Sequence, residues 1–181
     1  MSPVLDNTTV LGTIIREVTP QLFLAYGTRL TPESEGEPPS GTAHPELAGV
    51  LGFVGEKLHG TVTLATSRAV MDRVVENVPG VAGVEDWLAE LTNQLLGRVK
   101  GRLLNCGAPV LSSTPVVVAG HELEVRMGRH TVNCRLQFKA EFHSEDGVVQ
   151  VWLGAEVEAG FILDERSGGE RGAAEGDLLL F

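Results

Sequence analysis

The chain has 181 residues, a mass of 19.3 kDa and a formal charge of −10 from 24 acidic and 14 basic side chains. Apolar residues make up 43%, which is ordinary for a globular protein and excludes wholesale disorder. The negative charge argues against nucleic acid as a partner, because it repels the phosphate backbone. No apolar run approaches the roughly 18 residues of a membrane span, and residues 1–25 lack the features of a secretory signal. We therefore expect a cytoplasmic protein.

The first predicted element is a helix over residues 7–26, where apolar side chains recur at helical intervals. Thr8 or Thr9 is a candidate N-cap, and Gly27 is a candidate stop. Pro20 interrupts the pattern, which predicts a kink or two shorter helices.

An acidic, proline-rich segment over residues 31–46 follows, and its composition predicts a solvated loop. Two short strands are expected next, at residues 50–54 and 58–65. Ser67 is placed to cap a short helix that the following Pro-Gly dipeptide ends. A longer helix is predicted from about residue 84 to residue 106.

After the long helix, the spacing of apolar side chains changes from a period of 3.6 to a period of 2. This alternation predicts strands with one buried face and one wet face, which are typical of an antiparallel sheet. The Asp146-Gly147 dipeptide predicts a hairpin between the last two strands. The expected strands cover residues 115–119, 121–127, 132–142 and 149–157. The element order is helix, two strands, two helices and about four strands, which predicts an α+β fold with the helices packed on one sheet.

The domain organisation follows from this element order. We expect one domain over residues 1–163 and a flexible, Gly-rich tail over residues 164–181 that ends in Leu-Leu-Leu-Phe. The two cysteines, Cys106 and Cys134, are too few for a disulfide framework and are interpreted as buried thiols. The five histidines show no zinc-binding spacing, so no metal site is expected in this chain.

The long helix carries the candidate functional residues. At about 100° per residue, Asp86, Glu90, Asn93 and Gly97 fall within roughly 60° of one another. The helix is therefore expected to present a carboxylate, an amide and a glycine to solvent while it buries its leucines. The residues expected on the buried side are Leu88, Leu91, Leu95 and Val99.

A solvated helix face is the simple explanation for a lone Glu-x-x-Asn pair. Gly97 and Gly101 weigh against it, because each costs about 1 kcal/mol relative to alanine inside a helix. A bare patch beside a glutamate and an asparagine lets another backbone approach closely.

This pattern resembles the signature of the CheC/CheX/FliY family of chemotaxis phosphatases. The resemblance is carried by Asp86-x-x-x-Glu90-x-x-Asn93, by Gly97 four residues on, and by Pro115 at the start of the strand that follows the helix. The segment that this proline opens, Pro-Val-Val-Val-Ala-Gly, looks most like the CheX branch. The likeness in element order extends over residues 8–162.

The resemblance implies a phosphatase acting on the phospho-aspartate of a CheY-like response regulator in chemotaxis or another two-component system. Asn93 would align the attacking water, and Glu90 would pair with the lysine beside the phosphorylated aspartate of the receiver. Gly97 would relieve crowding against that receiver, with Gly101 extending the bare patch. The Mg²⁺ that the reaction needs would lie in the receiver, so this chain would bind no cofactor of its own.

Three points stay open from the sequence. Asp86 either contacts the partner or merely favours the positive N-terminus of its helix. The same fold also allows a non-catalytic module that binds a receiver, or a scaffold that docks through its C-terminal tail. CheX relatives are homodimers, and the resemblance implies a homodimer here.

Overall fold

In the computed structural model, the described residues are 6–35, 44–76, 78–81, 83–126, 128–142 and 146–164. The helices of this part are α1 (Asn7–Leu24), α2 (Arg68–Glu76) and α3 (Val84–Asn105). The strands are β1 (Arg29–Glu35), β2 (Leu47–Gly55), β3 (Leu58–Thr66), β4 (Val110–Ser112), β5 (Val116–Ala119), β6 (Val132–Glu141) and β7 (Gly147–Val157). The predicted α+β class is confirmed.

The strands form one antiparallel sheet in the order β1-β6-β7-β3-β2-β4, and β5 pairs with β2 beside β4. The helices pack on one face of this sheet and bury the main hydrophobic core there. On β2, the buried side chains of Leu47, Leu51 and Phe53 point to the helices, as the period of 2 requires. The alternate residue Ala48 belongs to a small second cluster with Ala65 and Trp152 on the opposite face.

Helix α1 is continuous through Pro20, so the alternative of two shorter helices is wrong. The N-cap is Asp6, rather than Thr8 or Thr9, because its carboxylate accepts a hydrogen bond from the Thr9 amide at 2.8 Å. Gly27 has a φ of 77° and follows the end of the helix, as expected.

Strand β1 corrects the prediction of a loop over residues 31–46, because residues 31–35 pair with β6 at the edge of the sheet. An edge strand tolerates Pro32, which lacks an amide donor, and Glu33 is exposed. Glu33 accepts a hydrogen bond from the side-chain amide of Gln137 at 2.9 Å, while Leu30 is buried on the helix side. Of the rest of the predicted loop, residues 44–46 lie outside any helix or strand, as predicted, and residues 36–43 lie outside the described residues.

The strand predicted at residues 121–127 does not form over its described part, residues 121–126. This segment lies against the sheet face opposite the helices, where Leu123 and Val125 contact the small second cluster. The predicted alternation of buried and exposed side chains is present at Leu123 and Val125. It arises because these two side chains pack on the face of the sheet, and not because the segment pairs with a strand. The amide of Leu123 bonds the carbonyl of Pro45 at 2.8 Å, outside any strand pair.

The remaining predicted elements are confirmed as β2, β3, α2, α3, β5, β6 and β7. The pairing of β6 with β7 is the expected hairpin, although residues 143–145 of its turn lie outside the described residues. Of the predicted tail at residues 164–181, the structure describes only Asp164. Among the described helices, none combines the length and apolar character needed to cross a membrane.

Candidate functional site

Helix α3 is held on the sheet by its leucine face. All four residues predicted to be buried, Leu88, Leu91, Leu95 and Val99, have no exposed surface. At Gly49 of β2 the helix comes so close that a Cβ would collide with the side chain of Thr92. The Thr92 hydroxyl is itself bonded to the helix, since it donates to the Leu88 carbonyl at 2.7 Å. The opposite face of α3 is therefore presented on a rigid support.

The structure brings all five predicted site residues onto one exposed stripe of α3. The members of this stripe are Asp86, Glu90, Asn93, Gly97 and Gly101. Apart from its chain neighbours and the backbone of its own helix, a Cβ built at Gly97 or at Gly101 would meet no atom of the described residues within 4 Å. Neither glycine is therefore required by packing inside the chain, and the bare patch is open to another molecule.

The Asn93 side chain makes no hydrogen bond to any other described residue, so both its amide oxygen and its amide nitrogen are available. An amide offers two donors on nitrogen and two lone pairs on oxygen. Such a group can orient a water molecule and contact a phosphoryl oxygen at once.

The Glu90 carboxylate, in contrast, is oriented by a neighbour. It accepts a hydrogen bond from the Gln94 side-chain amide at 2.7 Å, and the Gln94 oxygen accepts one from the Tyr26 hydroxyl at 2.7 Å. Sequence reasoning identified neither Gln94 nor Tyr26. The spacing of four residues between Glu90 and Gln94 is visible in the sequence, whereas Tyr26 lies 68 residues from Gln94 and carries no local signal.

Asp86 lies in the first turn of α3, where a negative charge favours the helix N-terminus. Its neighbour Glu85 shares that turn and forms an ion pair with Arg68, which joins α2 to α3. The hydrogen bond from Arg68 lowers the pKa of Glu85 below its ordinary value. Asp86 is exposed and faces the stripe, so the structure is compatible with both of its predicted roles.

Pro115 immediately precedes β5, as predicted for a proline at a strand start. The neighbouring Ser113 has a structural role, because its hydroxyl accepts a hydrogen bond from the Gly52 amide at 3.0 Å. The Ser113 amide also donates to the Gly52 carbonyl at 2.9 Å. Together the two hydrogen bonds attach the segment between β4 and β5 to β2.

The cysteines are both buried, as predicted, and form no disulfide with each other. Burial and the nearby Asp6 carboxylate raise the pKa of the Cys134 thiol to about 11. Its Sγ donates to the Thr8 carbonyl at 3.3 Å, which ties β6 to α1. Within the ranges that the structure describes, no group of three or more His, Cys, Asp or Glu side chains is arranged to hold a metal ion.

Comparison with solved structures shows the same fold in several chemotaxis proteins. The chemotaxis protein CheX from Vibrio vulnificus aligns with a TM-score of 0.66 and 19% identity, over 86% of this chain and all of the other. A chemotactic CheC-like protein from Shewanella oneidensis aligns with a TM-score of 0.64 and 19% identity, over 82% and 96% of the two chains. A CheX–CheY–BeF3–Mg²⁺ complex from Borrelia burgdorferi gives a TM-score of 0.59 and 12% identity, over 83% and 98%.

A search of curated proteins found no significant match. A family model described as chemotaxis phosphatase CheX matches residues 47–139, about half of the chain. The matched residues include the whole of α3 and the strands that it contacts, β2 to β5. On this evidence, the chain belongs to the CheX family.

Proposed function

We propose that this protein is a phosphatase that hydrolyses the phospho-aspartate of a CheY-like receiver domain. The observation that carries the proposal is the exposed pair Glu90 and Asn93 on a rigidly supported helix, bordered by glycines that nothing else in the described chain approaches. Membership of the CheX family and the CheX fold seen in a complex with CheY support it.

The chemistry requires positioning more than covalent catalysis. A phospho-aspartate is an acyl phosphate, and water attacks its phosphorus in line with the oxygen of the leaving carboxylate. The bond from the attacking water to phosphorus forms as the phosphorus–carboxylate bond breaks, which gives inorganic phosphate and the free aspartate. Asn93 acts by accepting a hydrogen bond from this water and donating one to the phosphoryl group.

Glu90 acts in docking. A carboxylate beside the asparagine would form a charge-assisted hydrogen bond with the lysine of the receiver and so set the register of α3 on its partner. Gly97 and Gly101 extend this contact surface by letting the receiver backbone approach the helix, and Asp86 lies at its N-terminal end. The Mg²⁺ of the reaction belongs to the receiver in this proposal.

The test is the decay of a phosphorylated receiver, measured with radiolabelled phosphate on a panel of receivers from the same genome. We expect the wild-type chain to accelerate decay, and Asn93→Ala and Glu90→Ala each to remove nearly all of the acceleration. Glu76→Ala, which removes an exposed glutamate from α2, is the matched control and should leave the rate unchanged.

Unchanged decay with every receiver would refute the proposal. Tight binding to a phosphorylated receiver without faster decay would instead indicate the non-catalytic module. In that case Glu90→Ala should weaken binding, whereas Asn93→Ala should not.

We further propose that the protein is a cytoplasmic homodimer. The supporting observation is an exposed apolar patch at the β4/β5 edge of the sheet, on the face opposite the helices. Its members are Val54, Leu111, Val116 and Val118. Light scattering of the purified chain should give twice the monomer mass, and Leu111→Asp should restore the monomer. A monomeric wild-type mass at micromolar concentration would refute the dimer.

A further inference from the structure

A chain of hydrogen bonds connects Glu90 to the end of helix α1. The Tyr26 hydroxyl and the Gln94 side-chain oxygen are 2.7 Å apart, and the Gln94 nitrogen and a Glu90 carboxylate oxygen are also 2.7 Å apart. An ionised carboxylate only accepts hydrogen bonds, so the amide must turn its nitrogen toward Glu90. The amide oxygen then faces Tyr26, which must donate. The direction of each bond is thereby fixed.

Tyr26 is itself held in place from two sides. Its ring packs edge-on against Trp87 of α3, with ring centroids 4.9 Å apart and an angle of 89° between the planes. It lies in the turn that ends α1, where the Thr28 amide returns to the carbonyl of the fully buried Phe23 at 3.1 Å. The position of the Tyr26 hydroxyl therefore depends on the hydrophobic core and not on α3 alone.

Trp87 and Gln94 lie on α3 at spacings of three and four residues from Glu90, along the half-buried edge of the exposed stripe. Glu90 is exposed, and an exposed glutamate ordinarily samples many rotamers. Here one of its oxygens accepts a hydrogen bond from Gln94, while the other accepts none from a described residue. The carboxylate is thus oriented and still able to accept a hydrogen bond from another molecule.

We infer that Gln94 and Tyr26 are positioning residues that hold Glu90 in the orientation that meets the lysine of the receiver. This inference rests on the function proposed above. A side chain that is already ordered loses less conformational entropy when the partner binds, so the network tightens association with the phosphorylated receiver. It does not contact the reacting phosphoryl group, so it acts on KM and leaves kcat to Asn93.

The competing explanation is structural, since the same bonds also join α1 to α3. Tyr26→Phe distinguishes the positioning role from the structural one, because it removes the hydroxyl that bonds Gln94 and keeps the ring packed against Trp87. Gln94→Leu removes the amide at similar size. Glu17→Gln is the matched control, because it breaks an ion pair between the same two helices, with Arg102 at 2.7 Å, and leaves the network intact.

We expect Tyr26→Phe and Gln94→Leu each to raise KM for the phosphorylated receiver about three- to tenfold, with kcat within twofold of wild type. Glu17→Gln should change neither value. In a Glu90→Ala background, which retains little activity, the readout is the Kd for the phosphorylated receiver. Tyr26→Phe should have no further effect on this Kd, because the group it positions is gone. A wild-type KM in both single variants, or an equal rise in Kd with and without Glu90, would overturn the inference.

A second measurement does not depend on activity. In the full-length protein, NMR of the Gln94 side-chain amide should show a shift that follows the titration of Glu90, and Tyr26→Phe should weaken this coupling. A Gln94 amide that ignores the protonation of Glu90 would overturn the network, even in an active enzyme. A wild-type chain that fails to accelerate decay while the NMR coupling is present would refute the proposed function and leave the network standing.

Discussion

The glycines of the exposed stripe offer a test in which stability and function should move in opposite directions. Gly97→Ala and Gly101→Ala each add a methyl group that would meet no described atom within 4 Å apart from its chain neighbours and the backbone of α3. Both positions are inside α3, so each substitution should gain the full difference in helix propensity, about 1 kcal/mol. The double variant should gain about 2 kcal/mol, which raises Tm by roughly 4–8 °C for a chain of this length.

The same methyl groups should weaken the proposed complex. If the receiver backbone approaches α3 at the bare patch, a Cβ at Gly97 enters a closely packed contact, and overpacking of that kind costs about 1–3 kcal/mol. The corresponding rise in KM for the phosphorylated receiver is about five- to 150-fold. Gly97→Leu should raise KM further while it remains as stable as the alanine variant, since leucine is also a good helix former.

The assay pairs thermal unfolding with the decay of the phosphorylated receiver. Gly12→Ala is the matched control, because Gly12 is also inside a helix and a Cβ there would meet only the Cys134 sulfur at an ordinary 3.9 Å. This control should stabilise the chain and leave KM unchanged. A Gly97→Ala variant that is stabilised and has wild-type KM would refute the contact surface, and a destabilised one would refute the open space around the glycine.

Three further outcomes follow from the packing and the charges. Gly49→Ala should lower the free energy of unfolding, measured in urea, by about 1–3 kcal/mol, because its methyl group meets Thr92. Thr92→Ala in the same chain should recover part of the loss, and a Gly49→Ala variant of wild-type stability would contradict this packing. Iodoacetamide at pH 8 should label Cys134 far more slowly in the native chain than in urea, as followed by mass spectrometry, because the thiol is buried and its pKa is raised to about 11. The pKa of Glu85 is lowered in the folded state, so its pair with Arg68 stabilises the chain above the unfolded pKa and loses this effect as the pH falls through the folded pKa. The difference in unfolding free energy between wild type and Arg68→Ala should therefore shrink toward zero on acidification from pH 7, and a difference that grows in acid would contradict the pairing.

Helix α3 and the placement of its two faces could be predicted from the sequence because both depend on local spacing. The 3.6-residue period determines which side chains share a face, and the leucines supply enough apolar area to decide which face is buried. Helical spacing therefore suffices to place Glu90 and Asn93 on one exposed stripe, whatever the arrangement of the sheet. The same reasoning found the hairpin of β6 and β7, since its alternation and turn residues are also local.

Strand β1 could not be predicted because its evidence lies elsewhere in the chain. Its proline and glutamates are typical of a loop, and only the pairing with β6 makes them a strand; Thr31, for example, donates to the Glu141 carboxylate at 2.7 Å across 110 residues. The strand predicted at residues 121–127 is wrong over its described part for a different reason, because there the local pattern indicates a strand that does not form. Alternating burial there reflects Leu123 lying on the back of the sheet, and periodicity records burial without recording which backbone bonds accompany it.

The orientation of Glu90 was hidden for the same reason as β1. Tyr26 reaches Gln94 only because α1 and α3 pack side by side, so this part of the site exists in the tertiary structure and not in the motif. A motif of spaced residues specifies which groups point outward. It does not specify how firmly each is held, and in this chain Glu90 is held while Asn93 has no side-chain partner among the described residues.

That difference matches the two tasks proposed for the pair. A docking carboxylate gains from being fixed, because its lysine partner must be met in one register, whereas an amide that contacts water and a phosphoryl group must adjust as bonds form and break. Two of the glycines also differ in what surrounds them. Gly49 is needed for packing, because a Cβ there would collide with Thr92 and push α3 away from the sheet, whereas Gly97 has open space around it. A glycine inside a helix whose absent side chain would touch nothing in the described chain is not required by packing, and the close approach of a receiver backbone proposed above would account for Gly97.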